Sequence, residues 1–169
     1  MIKTILTATD GSSHANKAID LAIDLATRYD ARLVIVHSIG EGTVPDSLIH
    51  MAEVEHIVDP KPVAPALPRA SIPHGDTRRW EESGKIHAFI ANKLLSNAES
   101  EAKEKGVREV KTVAVQGDPA SRILETVKSE GADMVVMGSR GLGNLKGLLQ
   151  GSVSTKVSHL AECTCVCVK

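Results

Sequence analysis

Aromatic side chains are nearly missing from this sequence: Tyr29, Trp80 and Phe89 are the only three in 169 residues. So few rings cannot build the stacking platform that single-stranded nucleic acid requires. A surplus of either charge is missing too, with 20 basic residues against 21 acidic ones and a net charge of −1. That balance supplies no attraction for nucleic acid or for an anionic membrane. Apolar runs such as Leu33–Val36 and Met134–Met137 are four residues long, far below the roughly 20 that cross a bilayer. MIKTIL reads as the start of a strand and lacks a charged segment followed by an apolar one, so no secretory leader is expected. Cysteine is scarce as well. Cys163, Cys165 and Cys167 are an odd number, two residues apart, which is no disulfide framework and points to a reducing cytoplasm.

What is present is an alternation of two periods. Ile2–Ala8 is a β-prone run closed by the turn pair Asp10–Gly11, and Ser12 or Ser13 can cap the helix that follows. In that helix Ala15, Ala18, Ile19, Ala22, Ile23, Ala26 and Tyr29 recur at helical spacing, with Lys17, Asp20, Asp24 and Arg28 opposite. Arg32–Ser38 is apolar at four successive positions, which suits a parallel strand covered on both faces. Five of the seven prolines fall between Pro60 and Pro73, so no regular helix or central strand runs through that segment. The sequence therefore reads as a single domain, 1–169, with a proline-rich insertion at about 41–82 and one short helix near Ser47–Val58. A helix over Gly84–Lys105 ends at Gly106, and Glu109–Val115 is a strand. Pro119 opens a helix that Gly131 closes. Ala132–Met137, Ser152–Ala161 and Thr164–Val168 follow as strand, helix and strand. The expected fold is α/β: an open, doubly wound, Rossmann-like sheet of five parallel strands, with helices on both faces. With strand order 3-2-1-4-5 the chain reverses between the first and fourth strands, where such sheets bind ligands outside the strands' carboxyl ends. Thr9–Ser13 and Gly138–Gly151 would meet there.

The second of those loops is the richest in glycine. Gly138, Gly141, Gly143 and Gly147 crowd into ten residues, and Gly151 precedes Ser152 and Ser154. Glycine lets backbone amides approach a bulky anion, and a helix N-terminus offers unpaired N–H groups with a partial positive charge. A phosphate cradle is the functional reading, and a merely flexible turn is the plain one. Two familiar phosphate motifs do not fit. Gly147 is followed by Leu148 rather than by the Lys-Ser/Thr pair of a P-loop, and Lys146 stands where GxGxxG needs its third glycine.

A third pattern does fit. Gly138-x2-Gly141-x9-Gly151-Ser152 resembles the nucleotide signature of the universal stress protein family. The likeness extends to TATDGSSHANKA (Thr7–Ala18), VHS after the second strand, GDPASRILE (Gly117–Glu125), GADMVVMGSRG (Gly131–Gly141) and the final CTCVCVK. The resemblance implies a stress-response protein that holds ATP or AMP, with or without Mg or Mn, and forms a homodimer through its last strand. It further implies that the backbone at Ala8 and Ser38 meets the adenine and that Asp10 meets the ribose or adenine side. Met137, Gly138, Arg140, Gly141, Gly151, Ser152, Val153 and Ser154 would line the phosphate side. Ala8 and Ser38 depart from common family patterns, and a serine at 38 lessens the apolar contact available to a base.

Read as residues alone, Asp10 could accept ribose hydroxyls or simply form an Asx turn before Gly11. Arg140 could fork onto phosphate or stand solvated, and so could Lys146. Cys163, Cys165 and Cys167 share one strand face, as a soft-metal or redox site or as small apolar filler. His37 ends the second strand, and His74 with Asp76 lies in the insertion. No residue set specifies a reaction, so catalytic residues are not assigned; slow ATP hydrolysis or nucleotidyl transfer is the enzymatic alternative, and a nucleotide-free dimeric interaction module is the other. An unidentified protein partner is implied, with no nucleic acid and no membrane.

Overall fold

The structure, a computed structural model, describes residues 1–39, 77–142 and 150–169. The chain divides into two compact units, Met1–Glu41 with Ala91–Lys169, and Gly42–Ile90. The first unit carries β1 (Thr4–Ala8), α1 (Ser13–Tyr29), β2 (Arg32–Ile39), β3 (Val110–Gln116), α3 (Pro119–Glu130), β4 (Met134–Gly138), α4 (Ser152–Leu160) and β5 (Thr164–Val168). Helix α2 (Thr77–Glu104) begins in the second unit and ends in the first. The helix thus starts seven residues before the expected Gly84, inside the stretch read as insertion. The rest of that insertion, including the short helix near Ser47–Val58, lies outside the described residues.

All five strands are parallel and ordered β3-β2-β1-β4-β5. Strand alternation divides the apolar runs between two faces. Ile5, Leu33, Ile35 and Val136 pack under α1 and the later turns of α2, with Ala18, Ile23, Leu95 and Ala98. Leu6, Val34, Val36, Val135 and Met137 pack under α3 and α4, with Ala120, Ile123, Val127 and Val157. The four-residue runs of β2 and β4 are apolar throughout because both faces are covered.

Local chemistry sets the boundaries. Ser12 caps α1 by accepting from the Ala15 amide at 3.2 Å. Asp118 caps α3 and Pro119 occupies its first turn, while Gly131 ends it at φ 60°. Tyr29 departs from its expected place on the buried stripe: it is the last residue of α1 and 49% exposed. At the amino ends of the strands, Asp133 accepts from the amides of Lys3 and Thr4 at 2.7 and 3.0 Å, which holds its carboxyl below the usual range. Glu130, paired first with Lys111 and then with Arg32, is held low for the same kind of reason. That end of the sheet is latched by charge, which leaves the carboxyl ends for the site.

Candidate functional site

Ala8 lies beside Met137 in the sheet, so β1 and β4 end together. From there the chain leaves in opposite directions, β1 to α1 on one face and β4 to α4 on the other. The gap between the departing chains is a cavity of about 340 Å³, at the small end of the range for small-molecule sites.

Its floor is built by three turns. After β1, Thr9 donates its amide to Val36 O at 2.9 Å, and its side chain accepts from the Gly11 amide at 3.3 Å. Thr9 O lies 2.8 Å from His37 Nδ1, so His37 ties β1 to β2. After β2, Ser38 Oγ donates to Gly117 O at 3.0 Å, joining the strand end to the turn before α3. After β4, Ser139 is the anchor. Its amide donates to Val168 O, and its carbonyl accepts from the Gly151 amide at 2.7 Å and from Ser154 Oγ at 2.8 Å. The two ends of the glycine loop are therefore pinned to each other and to the last strand.

Asp10 spans the gap. One carboxylate oxygen accepts from the Ser12 amide at 2.9 Å, and the other accepts from the Leu142 amide at 3.0 Å. The first contact is the Asx turn expected from the residues alone. The second was not legible in sequence: Asp10 holds the first turn against the glycine loop. Gly141 is the residue that permits it, because a methyl group there would run into Asp10 Oδ2.

The glycines serve different needs. A Cβ on Gly138 would come within 2.8 Å of His14 C and 2.9 Å of the Ala15 amide nitrogen, so this glycine lets α1 lie against β4. Gly151 begins α4 with extended backbone and has no side-chain cap. Beyond it, the amides of Ser152, Val153 and Ser154 have no carbonyl four residues back within the helix. Among the described residues no other group accepts from them. Ser152, Val153 and Ser154 themselves line the cavity.

All eleven residues singled out in the sequence border this one cavity: Ala8, Asp10, Ser38, Met137, Gly138, Arg140, Gly141, Gly151, Ser152, Val153 and Ser154. Two of their side chains have other work. Ser154 Oγ is shared between Ser139 O and Gly151 O, at 2.8 and 3.0 Å, so its hydroxyl is already engaged. Ser38 gives its hydroxyl to Gly117. Lys146, Gly143, Gly147, His74 and Asp76 lie outside the described residues. Sequence reading missed Thr9, Ala15, Val36, Pro119, Ile123, Leu142 and Gln150, which also line the wall. Val36 could have been found, being two residues before Ser38 on the same strand face. Ile123 could not, because it arrives from another element.

The wall thus combines the apolar residues Ala8, Ala15, Val36, Ile123 and Met137 with Ser152, Val153 and Ser154 of the first turn of α4. Among its described residues Asp10 is the only acid and Arg140 the only base. Among the described residues no group of three or more His, Cys, Asp or Glu converges as a metal site. The thiols of Cys163 and Cys165 are pushed up chiefly by burial, and all three cysteines pack against the core beneath α3 and α4. No described helix is long and apolar enough to cross a membrane.

Comparison with known proteins agrees with this architecture. The chain is 34% identical over 171 residues to universal stress protein YxiE of Bacillus subtilis, covering all of both chains. Among solved structures it is similar to universal stress protein UspA from Lactobacillus plantarum, with a TM-score of 0.73 at 18% identity over 99% of this chain and 98% of that one. It is also similar to a universal stress protein in complex with cAMP, with a TM-score of 0.64 at 22% identity over 99% and 97%. A third likeness is to the Archaeoglobus fulgidus universal stress protein in complex with dAMP, with a TM-score of 0.57 at 21% identity over all of both chains. At these identities the structures speak for the fold alone. The model of the universal stress protein family matches residues 1–169, and the chain belongs to that family.

Proposed function

We propose that this chain is a regulatory protein of the stress response that binds an adenine nucleotide, ATP or AMP, in the cavity between β1 and β4. The observation that carries the reading is one cavity lined both by apolar side chains and by Ser152, Val153 and Ser154, from whose amides no described residue outside the helix accepts. A base is mostly apolar surface and a phosphate is an anion, and a helix N-terminus favours the anion by its dipole as well as its donors. Arg140 adds a planar cation on the same wall. The cAMP and dAMP held by two structural neighbours support adenine as the base.

The reading is of binding rather than turnover. Asp10 is the only carboxylate on the described wall, and both of its oxygens already accept amides. A carboxylate has further lone pairs, so Asp10 would also hold a Mg or Mn ion brought in with the phosphates, the usual arrangement for a cation that keeps most of its water. The homodimer of the same reading forms through β5. Its residues Thr164–Val168 contain no charge and no proline, whereas the opposite edge, β3, carries Lys111. An apolar edge without such protection is a template for another strand.

Calorimetry with ATP, AMP and GMP on wild type and Ser152→Asp tests the binding site. An aspartate at the start of α4 favours the helix through its dipole but opposes a phosphate. Thermal stability should hold or rise while adenine-nucleotide affinity falls by about 10-fold or more, a loss on the order of 1.4 kcal/mol. Undiminished affinity in a folded Ser152→Asp variant would sink the site, and GMP binding as tight as AMP would sink the base assignment.

A further inference from the structure

The cysteines at the last strand do not line the cavity, although Cys167 Sγ accepts from Gln150, which does. Cys163, Cys165 and Cys167 all turn to the α3–α4 face of the sheet, while Val166 and Val168 turn to the other. The three thiols are free and partly exposed. They cannot join one another within a chain. Cys163 lies one residue before β5 and is a free thiol like the other two. Cys165 and Cys167, two apart on the strand, stand about 6.5–7 Å from each other along it, and a disulfide needs Cβ atoms about 3.5–4.5 Å apart. A partner for these sulfurs has to come from outside the chain.

A second copy supplies one, and here the inference rests on the β5 pairing proposed above. In an antiparallel pair, residues directly opposite project to the same face of the sheet. A two-fold axis between two β5 strands therefore sets odd-numbered residues against odd-numbered ones. Centred on Cys165, the register places Cys165 against its own copy and Cys163 against Cys167. Centred on Val166, it places Cys165 against Cys167. Centres at Thr164 and Cys167 give Cys163 against Cys165 and Cys167 against itself. Thiol meets thiol in each of these registers. Directly opposed Cβ atoms lie about 4.5–5.5 Å apart, which reaches the disulfide range at the closer, non-hydrogen-bonded positions.

We propose that the thiol row of β5 forms a disulfide between two copies of the chain, so that a small-molecule disulfide turns a non-covalent dimer into a covalent one. The thiolate of one copy attacks the small disulfide RS–SR, breaking its S–S bond, and one RS⁻ leaves and takes up a proton. The opposing copy's thiolate then attacks the protein sulfur of that mixed disulfide and expels the second RS⁻, which is protonated in turn. Two protein thiols are oxidised, one small disulfide is reduced to two thiols, and no other reactant is needed. Burial raises the Cys163 and Cys165 thiols, so few thiolates are present near neutrality and the exchange quickens as pH rises.

The experiment has two readings. Light scattering of the reduced chain comes first, and the expected mass is twice the 18.0 kDa chain. Incubation with oxidised glutathione, alkylation and a non-reducing gel come second. Wild type should yield a covalent dimer that dithiothreitol reverses. The triple variant Cys163→Val, Cys165→Val, Cys167→Val should stay dimeric by light scattering and yield none. The double variant Cys165→Val, Cys167→Val keeps the test open if the triple variant misfolds, since it breaks the thiol pairs of all four registers and must lose the cross-link. A reduced dimer that gives only glutathione adducts, or no covalent product, overturns the disulfide and leaves the β5 dimer standing. A reduced chain that is monomeric removes the dimer and the disulfide together, without touching the nucleotide cavity.

Discussion

At the scale of single residues, the glycine-rich loop is several requirements side by side. Gly138 is small because the backbone of α1 passes over it, and Gly141 is small because Asp10 needs the room to reach Leu142. Gly151 has ordinary space around it: a Cβ there would meet nothing closer than Ser139 O at 3.4 Å. The three should therefore respond differently to substitution. Gly138→Ala forces a methyl against backbone rather than against a movable side chain. It should cost about 1–3 kcal/mol of stability, the range for overfilling a packed site, as read from the midpoint of urea unfolding at unchanged slope. A midpoint equal to wild type would show that α1 can slide away freely. The spacing of these glycines was legible in sequence, but their separate causes were not. A sequence shows that a residue is small without showing which neighbour, 124 positions away in the case of His14 and Gly138, makes it so.

At the scale of elements, caps and turns carried the reading furthest. Ser12, Pro119 and Gly131 each sit where their local chemistry puts them, because a cap depends on the few residues around it. Tyr29 misled for the complementary reason: it continues the periodic stripe of α1, but the helix stops there and the ring has left the core. The start of α2 at Thr77 also escaped, since the preceding prolines set no lower limit on where a helix begins. The cap of α3 has a pH dependence. Asp118 accepts from the Ser121 hydroxyl and amide and from Lys156 of α4, which together pull its carboxyl to about 2 from an ordinary 3.8. A depressed carboxyl stabilises the fold fully above the unfolded value and loses that contribution as pH falls through 3.8 towards 2. Carboxyl-carbon NMR should find the Asp118 midpoint near 2, rising towards the ordinary value in Lys156→Met and further in Ser121→Ala. A midpoint near 3.8 in wild type would contradict the ion pair and both serine bonds.

At the scale of the whole molecule, the strand order was legible because an alternating chain with right-handed crossovers has few ways to form a sheet. The place of the cavity followed from the same order, as the point where the chain reverses. What the order could not convey is how the far end of the chain reaches that point. Val168 O accepts the Ser139 amide, and Ser139 in turn holds Gly151 and Ser154. Deleting Val168 and Lys169 together should weaken nucleotide binding severalfold in calorimetry, while deleting Lys169 alone should leave it within twofold. Equal affinity in both truncations would show that Ser139 keeps its place unaided. The final residues of this chain are thus a strut of the cavity between β1 and β4, and any handle for purification or immobilisation is better fused ahead of Met1, which is fully exposed, than behind Lys169.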